Sequence, residues 1–125
     1  MKAREMASCK IHNGSAKFVG HVEQEGGYFN IYRDWATFIG RVEEEGGYYN
    51  IYRAGSQFVG RIKQEGEYYR VYRGWNELVG DLRREESQYK VYHQRKGLVG
   101  SVELEDTLRV VPLLLSGGAA VLLLL

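Results

Sequence analysis

Trp35 and Trp75 hold the same place in two related segments, each in a stretch that connects one strand-like run to the next. An indole on such a loop is a flat platform on which a sugar ring, a base or a quaternary amine stacks, and its structural alternative is to cover an apolar gap. Tyr52 and Tyr72 recur at one position, and the hairpin register argued below sets them opposite Arg41 and Arg61, where a guanidinium can lie over a phenol ring. Arg33, Arg53, Arg73 and His93 form a further column. Arranged in a circle they could grip phosphate or carboxylate, or they could pair with the glutamates of another column, Glu25, Glu45, Glu65, Glu85 and Glu105. That carboxylate column is also the one feature that could suggest a ring for a hard cation, but each member borders a turn, where solvated charge is ordinary. His12, His21 and His93 show no metal-ligand spacing with Cys9, and no serine stands in a nucleophile elbow. No catalytic set, metal or cofactor is therefore expected, and the chain reads as a non-enzyme.

The elements that must position these residues come from a repeat. FVGHVEQEGGYFNIYRDWAT, FIGRVEEEGGYYNIYRAGSQ, FVGRIKQEGEYYRVYRGWNE and LVGDLRREESQYKVYHQRKG begin at Phe18, Phe38, Phe58 and Leu78, and LVGSVELED restarts the unit at Leu98, a period of twenty throughout. Around Val22 and Ile31 β-branched and aromatic residues alternate with polar ones, the period of a half-buried strand. Gly26-Gly27 and Gly46-Gly47 between the runs offer the positive φ angles of a two-residue hairpin turn. That turn pairs Glu25 with Tyr28, Gln24 with Phe29, Val22 with Ile31 and Gly20 with Arg33, so Val22, Phe29 and Ile31 share the core face. Glu86-Ser87 lacks glycine, which predicts the most distorted of the hairpins. Gly20, Gly40, Gly60, Gly80 and Gly100 fall inside strands, where they permit either close backbone approach or a bulge.

At 125 residues the chain fits one domain. Residues 9 to 12 match the second strand of the repeat and Leu108-Arg109-Val110-Val111 resembles another, which gives five units, 9–24, 28–44, 48–64, 68–84 and 88–104, and an apolar tail, 112–125. A row of hairpins leaves bare edges unless it is capped or closed, and no polar cap is visible. The expected architecture is all-β, a closed five-fold pseudosymmetric ring. The tail, with Leu113, Leu114, Leu115, Val121, Leu122, Leu123, Leu124 and Leu125, gains at roughly 1.5–3 kcal/mol per large aliphatic side chain when buried. It is expected to plug the ring, turning back at Gly117-Gly118, with a contact between copies of the chain as the alternative. Its fourteen residues are fewer than the ~20 that span a bilayer.

Seventeen Lys and Arg against sixteen Asp and Glu leave a charge of +1, which gives no reason to expect nucleic acid or a membrane as partner. One cysteine, Cys9, cannot form an intrachain disulfide, and the first ten residues lack the apolar run of a secretory signal, so a cytoplasmic location is expected.

The FVG-x-V strand, the glycine turn, the Y-x-x-Y strand and the SGGAAVLLLL ending together resemble the bacterial β-flower proteins over residues 9 to about 125. The resemblance implies hairpins radiating like petals with four- or five-fold pseudosymmetry, and no particular activity. Glu86-Ser87 and the loop residues Trp35 and Trp75 depart from it. The rhythm of Gly60 and Gly66-Glu67-Tyr68-Tyr69 is also similar to choline-binding repeats, open solenoids whose aromatic residues cage a quaternary ammonium, although their tryptophan-rich pattern is missing. Two functions follow as expectations: an interaction or structural module displaying loops on a rigid ring to an unidentified protein or small molecule, and a carbohydrate- or choline-like binder using Trp35, Trp75 and the tyrosines.

Overall fold

A computed structural model describes residues 8–25, 28–66, 68–85, 88–104 and 112–125. Ten described strands alternate along the chain: β1 (Ser8–Asn13), β2 (Phe18–Glu25), β3 (Tyr28–Arg33), β4 (Thr37–Glu45), β5 (Tyr48–Arg53), β6 (Gln57–Glu65), β7 (Tyr68–Arg73), β8 (Glu77–Glu85), β9 (Gln88–His93) and β10 (Gly97–Leu104). All neighbours are antiparallel, and β1 pairs with β10, so the sheet closes into a barrel with no free edge. The closing pair sets Cys9 opposite Leu104 and Ile11 opposite Val102. Leu108–Val111, read as a further strand, lie outside the described residues.

Within the hairpin of β2 and β3 the register is Gly20 to Arg33, Val22 to Ile31, Gln24 to Phe29 and Glu25 to Tyr28, as the two-residue turn requires. Gly46 and Gly47 take φ of 61° and 90°, positive at both central positions. Gly26-Gly27 and the glycine-free Glu86-Ser87 are outside the described residues, but Glu85 and Gln88 on either side of the latter remain paired.

The glycine column turns out to serve close approach, with a bulge beside it. Ile11 pairs with Gly20 but His12 with Phe18, which leaves Val19 as the extra residue, and the same skip recurs at Ile39, Val59, Val79 and Val99. Backbone N–H groups of Asp34, Ala54, Gly74 and Gln94 donate to the carbonyls of Val19, Ile39, Val59 and Val79, so the bulged peptides keep partners. A Cβ on Gly20, Gly40, Gly60 or Gly80 would collide with the carbonyl oxygen of Tyr32, Tyr52, Tyr72 or Tyr92 on the paired strand. By skipping a residue the bulge also turns Phe18 to the outer face beside His12, where plain alternation would point it inward.

Ile11, Ile31, Ile51, Val71 and Val91 form one fully buried inner tier, and Val22, Val42, Ile62, Leu82 and Val102 another. Into them runs α1 (Pro112–Leu123), so the apolar C-terminal segment does occupy the centre. It does so as one unbroken helix, and the expected reversal at Gly117-Gly118 is wrong: both residues are helical and buried. Pro112 begins the helix, where its missing N–H costs nothing. Apolar residues all round suit a helix enclosed on every side. Glycine inside a helix costs about 1 kcal/mol against alanine, but a Cβ on Gly117 would sit 2.9 Å from Val22 Cγ2 and one on Gly118 2.5 Å from Val102 Cγ2. Ser116 to Ala120 thus narrow the helix where the wall is bulkiest. Below them the fit inverts, with Leu122, Leu123 and Leu124 reaching over the bare backbone of Gly100, Gly80 and Gly60. The leucine side chains 113 to 115 lie outside the described residues.

Candidate functional site

Two surfaces carry the residues singled out by the sequence: the outer wall near the three-residue turns, and the barrel mouth encircled by those turns. On the wall, the bulge brings the phenylalanine column out and the turn folds a tryptophan onto it. Trp35 stacks on Phe18 with ring centroids 4.3 Å apart and 20° between planes, and Trp75 repeats the arrangement on Phe58 at 4.4 Å and 24°. Trp35 remains 64% and Trp75 61% exposed. His21 lies flat on Tyr32 at 5.0 Å and tilted beside Trp35 at 5.4 Å.

The tyrosine column of Tyr32, Tyr52, Tyr72 and Tyr92 is occupied. Tyr52 faces Arg41 in register and carries its guanidinium 4.8 Å from the ring centroid, as expected. Tyr72 faces Arg61 in register, but Arg61 leans elsewhere, 3.9 Å from the Tyr48 ring and 5.2 Å from Trp75, and its Nε donates to the Trp75 carbonyl at 3.1 Å. Packing against two rings and a carbonyl outweighs the single ring directly opposite. Tyr52 and Tyr72 donate to Glu45 and Glu65 at 2.8 and 3.3 Å, and Tyr92 donates to Glu85. These bonds to carboxylates hold the Tyr52 and Tyr92 hydroxyls above the ordinary phenol range. The described members of the glutamate column therefore serve the tyrosine ladder, and among the described residues no group of three or more His, Cys, Asp or Glu is placed to hold a metal.

At the mouth, the Arg33 column divides by role. Arg33 and Arg53 are exposed, and the ion pairs of the described residues involve neither. Arg73 Nη2 donates to the Leu123 carbonyl at 3.3 Å, meeting the negative end of α1. His93 Nδ1 accepts from the backbone N–H groups of Arg95 and Lys96 at 3.0 and 3.3 Å, and so closes its own turn. Asn13, one unit before Arg33, closes the first turn in the same way through Oδ1.

Deep in the opposite mouth, Phe29, Tyr69 and Tyr89 are buried beside the core and Tyr49 is half-buried. Burial first, then the neighbouring Tyr89 and Tyr49, pushes the Tyr69 hydroxyl up to about 12. Ser116 Oγ and Asn50 Oδ1 are buried with no hydrogen-bond partner among the described residues.

The described cavities avoid the tryptophans. One of about 140 Å3 borders Asn13, Leu98 and Gly100, one of about 320 Å3 borders Arg33, Asp34 and Leu122, and one of about 500 Å3 borders Arg73, His93 and Arg95. The outward phenylalanines and Arg95 were not foreseen as site residues. The pairs Phe18-Val19, Phe38-Ile39 and Phe58-Val59, each just before a column glycine, signal them, because two adjacent large apolar residues break the alternation of a strand.

Fold and surface together define a helix-plugged, closed barrel of hairpin repeats with aromatic platforms on its wall and a basic mouth. Comparison of the chain with protein-family models, with curated proteins and with solved structures found no match in any of the three. Among the described residues no helix is long and apolar enough to cross a membrane.

Proposed function

We propose that the protein is a non-enzymatic interaction module of the β-flower type, which offers its wall and turns to a macromolecular partner. The carrying observation is the pair of platforms, Trp35 on Phe18 and Trp75 on Phe58, largely exposed and lining none of the described cavities. A flat aromatic surface on a rigid scaffold suits an extended contact, and Trp, Tyr and Arg are the residues that dominate such contacts. A small quaternary amine would need an empty aromatic cage, whereas the rings of Tyr48 and Trp75 already hold Arg61. The buried thiol of Cys9 suits the reducing cytoplasm.

Photo-cross-linking residues introduced at Ala36 and Asn76, beside the two tryptophans, test the reading in cells, with Lys96 in the corresponding region of another turn as control. One discrete adduct from both tryptophan-bearing turns, absent from Lys96 and lost in the Trp35→Ser/Trp75→Ser protein, is expected. Adducts indifferent to the tryptophans would defeat it.

A further inference from the structure

The cleft of about 500 Å3 straddles the beginning of β8. Arg73, ending β7, stands on one side; His93, ending β9, and Arg95, in the next turn, stand on the other; Leu78 and Val79 of β8 line it between them. Its size falls within the range of roughly 300–1,000 Å3 usual for small-molecule sites. The charge set is peculiar to this unit. Where Arg95 stands, the other units carry Ser15, Trp35, Gly55 and Trp75, and in the smaller cleft beside β2 the one arginine, Arg33, shares the lining with Asp34.

Neither Arg73 nor Arg95 is spent on a carboxylate among the described ion pairs. Because His93 Nδ1 accepts two backbone N–H groups, the ring proton of the neutral side chain sits on Nε2, which leaves it a donor. Arg73, which keeps further N–H donors beyond its Nη2 bond to the Leu123 carbonyl, lines the cleft with Arg95 and the His93 imidazole, and these are donors suited to a phosphoryl group. Glu77 lines the same cleft and faces Arg73 in register. Its carboxylate repels a bare anion but accepts hydrogen bonds from hydroxyl groups.

We propose that this cleft binds a phosphate monoester of a polyhydroxylated small molecule, with the phosphoryl group between Arg73 and Arg95 and hydroxyls on Glu77. The site is separate from the tryptophan platforms and does not depend on their role. Calorimetry and backbone NMR with glucose 6-phosphate, glucose and inorganic phosphate test it on the full chain. Glucose 6-phosphate is expected to saturate, shifting residues 73–79 and 93–95, with inorganic phosphate weaker and glucose silent. Arg95→Ala preserves the backbone N–H that closes the turn and lowers affinity about ten-fold, the order expected for losing a charge-assisted contact. Arg53→Ala, in the Arg73 column but outside the cleft, leaves affinity unchanged. Glu77→Gln tightens inorganic phosphate and narrows its gap from glucose 6-phosphate. Equal losses in Arg53→Ala and Arg95→Ala would reveal only diffuse attraction by the basic rim and overturn the proposal. Binding of glucose as tight as that of its phosphate, or no saturation at all, would overturn it too.

Discussion

Facing inward, the repeat hardly varies: Val22, Val42, Ile62, Leu82 and Val102 make one tier and five glycines another. Facing outward, the same strands carry His21, Arg41, Arg61, Asp81 and Ser101 in one column, and the turns carry Trp35, Gly55, Trp75 and Arg95 in another. The inner positions all answer to one object, the central helix, and to the paired strand's carbonyls, so each tolerates little besides its present size. An outer position answers only to its neighbours. Close packing thus fixes the inner face, while the outer face is free to differ from unit to unit, and those differences hold the tryptophan platforms and the arginine cleft.

The severest break in that comparison removes the object itself. Deleting residues 113–125 strips the inner tiers of their partner and opens an apolar bore to water, at roughly 25 cal/mol per Å2 of apolar surface uncovered. The truncated chain is expected to be insoluble or unfolded, as judged by its soluble fraction and thermal melt. A soluble truncation with an unchanged melting temperature would show that the wall stands without the helix.

A single methyl group makes the same contrast locally. Gly100→Ala would place a Cβ against the His12 carbonyl and 2.7 Å from Leu122 Cδ1, which calls for about 3 kcal/mol or more because neither the ladder nor the plug can yield cheaply. Gly55→Ala meets nothing within 4 Å and suffers only from a φ of 92°, at about 1–2 kcal/mol. Urea unfolding ranks the two, and equal losses would mean that inner crowding is relieved by movement.

Much of this was legible in the residues. Period-two alternation and the glycine pair fix the register of β2 on β3 down to Gly20 against Arg33, and the missing caps anticipate closure of β1 on β10. The helix was not legible, since Gly117-Gly118 is a reasonable turn until the bulk of Val22, Val42 and Val102 around it is known. Serving two surfaces at once hid the Arg61 contact: register sets Arg61 against Tyr72, but Trp75 belongs to a turn whose path no strand pattern gives. Net charge is blind to placement as well, because a value of +1 says nothing about Arg73 and Arg95 lining one cleft.

The smallest effect separates the two faces by pH. Tyr69, inside, is raised to about 12 mainly by burial, whereas Tyr52, outside, is raised chiefly by its bond to Glu45 in an exposed setting that water screens. For Tyr69 the folded state keeps its proton after the unfolded chain, near 10.0, begins to lose it. Its contribution is therefore complete below pH 10 and disappears as pH rises towards about 12, where both states are ionised. Replacing Tyr69 with Phe should flatten the fall of the urea midpoint across that window, and Tyr52→Phe should flatten it less. The wild-type comparison cancels the lysine and arginine titrations common to all three proteins. If Tyr52→Phe flattens the curve as much as Tyr69→Phe, burial is not what distinguishes the inner tyrosine from the outer one.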